Sequence, residues 1–141
     1  MTILMDVEAL NAFLLEEFPQ VTGVFRVRSV TPEELIVEMP VTEAYLRPGG
    51  TISGPTMFSL ADVAMYLAIL ARIGPVGLAV TTNASIDFMR KPAAGKTLIA
   101  TARVLKLGRV LAVGDVLIHS EGQDAPVARA SMTYSIPQNS R

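Results

Sequence analysis

From Ser53 to Arg72 the chain is apolar at nearly every position: Met57, Phe58, Leu60, Ala61, Val63, Ala64, Met65, Leu67, Ala68, Ile69 and Leu70. On a helix these residues cover most of the circumference, and a helix apolar all round is normally buried on every side. Pro55 suits the first helical position, where its missing N–H costs nothing. Ser53 or Gly54 can cap that end. Gly74 and Pro75 stop the helix, with Arg72 near its negative terminus. The stretch is short, and Ser59 and Asp62 interrupt it, so a core helix is expected rather than a membrane span. Ser59, Asp62 and Tyr66 stand three and four apart and form one narrow polar line. A carboxylate on such a helix must be paired, hydrogen-bonded or protonated. Asp62 therefore either closes a local structural bond or marks a site.

Elsewhere the period changes. Asp6 to Phe18 has helical spacing, with Val7, Leu10, Phe13, Leu14 and Phe18 as an apolar stripe, Asp6 as cap and Pro19 as stop. Thr22 to Ser29 alternates, with Arg26 and Arg28 against Phe25, Val27 and Val30, which reads as a strand. Thr31-Pro-Glu-Glu is a turn into a second strand, Leu35 to Met39. Pro40 to Gly50 is irregular, with Pro48-Gly49-Gly50 a loop and Tyr45 and Leu46 as possible anchors. After the central helix, Gly74 to Gly77 connects to four strands, Leu78–Met89, Lys96–Lys106, Arg109–Ser120 and Ala125–Ile136, followed by a frayed polar tail.

Short turns between strands imply antiparallel neighbours. A curved antiparallel sheet wrapped round the apolar helix hides its circumference, which makes the chain an α+β domain. At 141 residues, with no repeat or linker, residues 1–141 are read as one domain. Hydrophobic residues make up 50% of the chain and mean hydropathy is +0.43, so some apolar surface is expected to lie between subunits. A net charge of −1 argues against a nucleic-acid footprint. The absence of cysteine excludes disulfides and thiolate metal sites, and the single histidine, His119, excludes a multi-histidine cluster. With no secretory pattern at the start, a cytoplasmic location is expected and no membrane partner.

Five segments together carry a resemblance: Gly54-Pro-Thr-Met-Phe-Ser-Leu-Ala-Asp62, Ser85-Ile-Asp-Phe-Met-Arg-Lys-Pro92, Gly95-Lys-Thr-Leu-Ile-Ala-Thr-Ala102, Lys106-Leu-Gly-Arg109 and Ala128-Arg-Ala-Ser-Met-Thr-Tyr134. In order and spacing they resemble the hotdog-fold thioesterases, and within them the PaaI-like, phenylacetate-degradation-related acyl-CoA thioesterases. The resemblance runs from about Phe25 to Tyr134. It implies a hotdog fold and hydrolysis of a short, medium-chain or aryl acyl-CoA. The coenzyme A thioester is then the substrate, with no separate cofactor or metal. It also implies a site at the interface of a homodimer, itself expected to pair into a homotetramer.

Carried over by position, the family's acid falls on Asp62 and its oxyanion donor on the backbone N–H of Gly54. A partner-strand hydroxyl that orients the water falls on Thr81, with Thr82 beside it. Where the family motif reads His-Gly-Gly, this chain has Ser53-Gly54-Pro55, and an upstream asparagine is replaced by Arg47. Ser53 and Arg47 are thus the substrate-side positions that differ. Arg90, Lys91 and Arg109, with Lys106, correspond to positions that meet the coenzyme A phosphates, or else are ordinary turn charges. A hotdog protein that lost the histidine and only binds acyl-CoA is the alternative reading. Asp87 is expected in a structural ion pair with Arg90 or a neighbour, and Met57, Met65, Met89 and Met132 in the core.

Overall fold

The computed structural model describes residues 2–41, 46–47, 51–76 and 79–138, without the side chains of Leu46, Arg47 and Thr51. Tyr45, the Pro48-Gly49-Gly50 loop, Gly77, Leu78 and the last three tail residues lie outside the described residues.

Helix α1 spans Val7–Glu17, and the Asp6 side chain accepts from the Ala9 N–H at 2.9 Å, closing its N-terminus. Its apolar stripe buries Leu10, Phe13 and Leu14. Asn11 fixes the helix to the sheet: its Nδ2 donates to the Val27 carbonyl at 3.1 Å and its Oδ1 accepts from the Val27 N–H at 2.8 Å. Pro19 ends the helix in a single 3-10 turn, Pro19–Val21.

Strands β1, Arg26–Val30, and β2, Leu35–Met39, form the expected hairpin. The Thr31 hydroxyl accepts from the N–H groups of Glu33 and Glu34, holding the turn. A bulge between Val27 and Ser29 explains why Val27 and Val30, three apart, both face the core. Arg26 and Arg28 lie outside and pair with Glu38 across the ladder. Two short strands pair with each other: β3, Leu46–Arg47, inside the stretch read as irregular, and β4, Thr51–Ile52, just after it. Two-residue strands are too short to show alternation.

Helix α2 spans Gly54–Ile73. Ser53 is its N-cap, with Oγ accepting from the Thr56 N–H at 3.3 Å, and Gly74 is its C-cap with φ +93°, its N–H donating to the Leu70 carbonyl. By length and composition α2 could cross a membrane, yet it packs as the core helix. Burial on every side holds only for Ala64 to Ala71. Ahead of that, Pro55 and Ser59 are exposed and Phe58, Asp62 and Val63 half-buried. The reason is α1, whose Phe13 and the adjoining Phe18 pack on Tyr66 and cover only that part of α2.

Strands β5, Val80–Phe88, β6, Leu98–Leu107, β7, Leu111–Ser120, and β8, Pro126–Ser135, complete one antiparallel sheet in the order β1-β2-β6-β7-β8-β5. The fold is the expected curved hotdog sheet with α2 on its face. Gly114 on β7 sets how close the helix comes: a Cβ there would lie 2.4 Å from both the Arg103 carbonyl oxygen and the Met65 Cε. Met57, Met65 and Met132 are buried, but Met89 is 45% exposed. It follows the end of β5, the edge strand of the sheet, with its N–H bonded to the Val127 carbonyl of β8 and its side chain left outside the core. Asp87 pairs with Arg129, its register partner on β8, at 3.2 Å. The tail is tied down at its start, because Gln138 donates to the carbonyls of Arg109 and Ile136.

Candidate active site

Asp62 stands in the third turn of α2, just ahead of the fully buried stretch Ala64 to Ala71. Its Oδ1 accepts two hydroxyl bonds, from Thr81 Oγ1 at 2.7 Å and from Tyr134 Oη at 2.6 Å. The Tyr134 hydroxyl also lies 2.9 Å from the Asp62 backbone carbonyl. No further donor reaches Oδ2 among the described residues. Thr81 and Tyr134 are register partners on β5 and β8, so the two donors come from one rung of the sheet. Immediately after Thr81 a bulge interrupts the ladder before Asn83.

Asp62 borders a cavity of about 500 Å3. Ser59 and Tyr66 line it too, so the polar line expected on the helix faces one space. Val63, Ala79, Val80, Thr81 and Tyr134 also line it, together with Leu14, Phe18, Val21 and Phe25 from the N-terminal segment. Burial, reinforced by the bond to Asp62, holds the Tyr134 phenol well above its ordinary value, and Thr81 only partly offsets this. Burial pushes Tyr66 up to about 12, with the charge of Glu17 adding to the effect. Both phenols keep their protons through the neutral range and are available as donors.

The other expected site residues scatter. Gly54 is the first residue of α2 and does not border the cavity. Pro55 has no N–H and Thr56 gives its own to Ser53, which leaves the Gly54 N–H as the terminal donor not taken up by the cap. A Cβ on Gly54 would lie 3.2 Å from the ring of Phe88. Ser53 is occupied as the cap, with Thr56 Oγ1 2.8 Å from its Oγ. The backbone of Arg47 lies in β3, but its side chain is outside the described residues. Thr82 is the bulged residue, and its hydroxyl donates to the Thr133 carbonyl at 3.3 Å instead of lining the cavity.

Arg90 and Lys91 are exposed just past the Phe88 end of β5. Arg109 sits in the β6–β7 turn, where Nη1 donates to Gln138 Oε1 at 2.9 Å. That turn lies beside the Val80 end, since Val80 and Leu111 both pair with Ser135. Strand length alone puts about 26 Å between the two groups of cations. One chain therefore does not gather Arg90, Lys91 and Arg109 around a single ligand.

Thr81 was expected to serve Asp62 from a partner's strand; here it is the chain's own Thr81 that reaches the carboxylate. Tyr134 is the site residue that sequence reasoning missed. The available signal was its place on an apolar alternation, Ala128, Ala130, Met132, Tyr134, where a phenol must find a buried partner. Among the described residues, no group of carboxylates and imidazoles is arranged to hold a metal ion.

The family model of the Thioesterase superfamily matches residues 49–127. A crystal structure of a thioesterase candidate from a Silicibacter species superposes with TM-score 0.90 and is 55% identical, covering 97% of this chain and 95% of that one. The Escherichia coli PaaI protein of the phenylacetic acid degradation operon superposes with TM-score 0.76 at 29% identity, covering 90% and 91%. Human acyl-coenzyme A thioesterase 13 is 30% identical over 117 residues, 82% of each chain. A carboxylate on the central helix, its hydroxyl partners, the antiparallel sheet and these matches agree: the chain belongs to the Thioesterase superfamily, with the hotdog fold of its PaaI-like members.

Proposed function

We propose that the protein hydrolyses an acyl-coenzyme A thioester, with Asp62 as the general base or nucleophile. The observation that carries this is the Asp62 carboxylate, held through one oxygen by Thr81 and Tyr134 at the edge of a cavity. In the base route Asp62 takes a proton from water as the water oxygen bonds the thioester carbon. The carbonyl oxygen gains the negative charge, which a preorganised N–H at a positive helix end stabilises. Gly54 is that donor. The intermediate then collapses, the C–S bond breaks, and the coenzyme A thiolate leaves and recovers a proton.

Two copies of the chain are needed. Gly54 and Asp62 are eight residues apart on α2, about 12 Å along its axis. One thioester carbon must lie within about 3 Å of its nucleophile while its oxygen meets the N–H. The two groups of one chain are too far apart for that, so Asp62 of one subunit works with Gly54 of the partner subunit. The unpaired outer side of β5, with Val80 55% and Phe88 51% exposed, is the edge that a second copy would cover. Arg90 and Lys91 follow Phe88, whose ring rests on Gly54, and there they would face the phosphates of a bound coenzyme A.

The test is a panel of acyl-CoA substrates with a reagent for the released thiol. Turnover by the wild type that vanishes in Asp62→Ala supports the reading, and no turnover above that variant on any substrate rejects it. One observation favours a second reading. Ser53, standing where the family has histidine, is spent on capping α2. A non-catalytic acyl-CoA-binding protein would bind saturably without hydrolysis, unaffected by Asp62→Asn at neutral pH.

A further inference from the structure

The lining of the cavity divides by chemistry according to the element that supplies it. Among the described residues every polar side chain lining it, Ser59, Asp62, Tyr66, Thr81 and Tyr134, comes from α2, β5 or β8. The N-terminal segment contributes apolar residues to the lining, Leu14, Phe18, Val21 and Phe25. Phe18 stands at the break between α1 and the 3-10 turn. Its ring meets that of Tyr66 edge-on, with centroids 5.9 Å apart at 87°. It is half-buried and lines the cavity from the margin of the core.

We propose that this segment is the acyl-selectivity wall of the site, with Phe18 as the residue that sets how far an acyl group extends. This rests on the thioesterase reading above. With the thioester held at Asp62, the apolar wall is where the acyl group has to go. Among the described residues no cation borders the cavity, and the charged group that does, Asp62, is an acid. An acyl group ending in a carboxylate would be desolvated there without a partner. The accepted acyl group is therefore uncharged and apolar, and its far end abuts Phe18.

The segment can be altered without removing α1. The Asn11 bonds to Val27 and the bond from the Leu4 N–H to the Ala71 carbonyl hold the helix independently of Phe18. The test compares wild type, Phe18→Ala, Phe18→Leu and Phe18→Trp on straight-chain acyl-CoAs of increasing length, with one ω-carboxyl member. Hydrophobic pockets discriminate by about tenfold or more per methylene. The ratio of kcat/KM for an acyl group two carbons beyond the wild-type optimum to that for the optimum should rise about tenfold in Phe18→Ala. It should rise less in Phe18→Leu and fall in Phe18→Trp, with the ω-carboxyl substrate the poorest of its length throughout. Ratios unchanged within about twofold in folded variants would overturn the proposal. Affinities for S-alkyl thioethers of coenzyme A, which cannot be hydrolysed, provide a second readout. A length shift there without any turnover sustains the wall and rejects the thioesterase reading, whereas turnover without a length shift does the reverse.

Discussion

Tyr134 binds Asp62 twice over, with its hydroxyl 2.6 Å from the carboxylate Oδ1 and 2.9 Å from the carbonyl oxygen of the same residue. The phenol thus ties the side chain to its own backbone and to a strand, β8, that is paired on both sides. Removing the hydroxyl leaves Thr81 alone to hold the carboxylate while the Tyr134 ring keeps its place beside Tyr66, 6.1 Å between centroids. In Tyr134→Phe, kcat should fall about 10- to 100-fold from the lost positioning of the base. KM should change little, and stability should drop by about 1 kcal/mol. Asp62→Asn should cost about 100- to 10,000-fold. Steady-state kinetics with thermal unfolding check both, and a proportionate rise in KM in Tyr134→Phe would indicate that the phenol binds substrate instead.

The same phenol makes the fold sensitive to alkali. Its value is raised in the folded chain, and that of Tyr66 is raised to about 12, against 10.0 for an ordinary tyrosine. A raised folded value contributes stability that is complete below the unfolded value and is lost as pH rises toward the folded one. The melting temperature should therefore hold up to pH of about 10 and decline above it. In the native protein the phenolate absorbance of these two residues should lag behind that of the denatured chain. Tyr134→Phe should flatten the decline.

Gly114 leaves no room for a methyl group. A Cβ would press on the Arg103 carbonyl, which is backbone within a ladder, and on Met65, which has no exposed side to retreat to. Gly114→Ala should destabilise by about 1–3 kcal/mol, a fall of several degrees in melting temperature. Because Met65 sits one turn past Ala61 and Asp62, kcat should fall as well if α2 is displaced. Unchanged melting would mean that α2 sits farther from β7.

Glu38 gives an effect at the acid end. Burial pushes its carboxyl up, but the bonds from Arg26 and Arg28 outweigh this and hold it below the usual 4.5. A lowered folded value contributes stability present above the unfolded value and lost as pH falls through the folded one. Both arginines are substantially exposed, so water screens the pair and the contribution is at most about 1 kcal/mol. Glu38→Gln should lower the melting temperature slightly at neutral pH, and the difference should close below pH of about 4.

Much of this architecture was legible because local chemistry and burial agree. Ser53, Pro55 and Gly74 bracket α2 in the sequence as they do in the fold, and the alternation of Ala128, Ala130 and Met132 marks the inner face of β8. The Ser59–Asp62–Tyr66 line could be read because helical spacing alone puts those residues on one face. What sequence could not give depends on register between distant strands. That Thr81 and Tyr134 meet on one rung follows from the β5–β8 pairing and from a bulge that no local pattern announces. The opening beside Asp62 depends on how far α1 extends along α2, and an all-round apolar helix gives no sign of which half stays uncovered.

The extra residue at Thr82 lets β5 obey two masters. Thr81 and Ile86 are five positions apart, an odd number that would send them to opposite faces of a regular strand, yet both turn inward, one to Asp62 and the other to the core. The bulge acts as a phase joint, so the end of the strand that reaches Asp62 and its packing end are set independently. Excising Thr82 would force a choice between them: either the hydroxyl abandons the carboxylate, or the downstream half turns inside out.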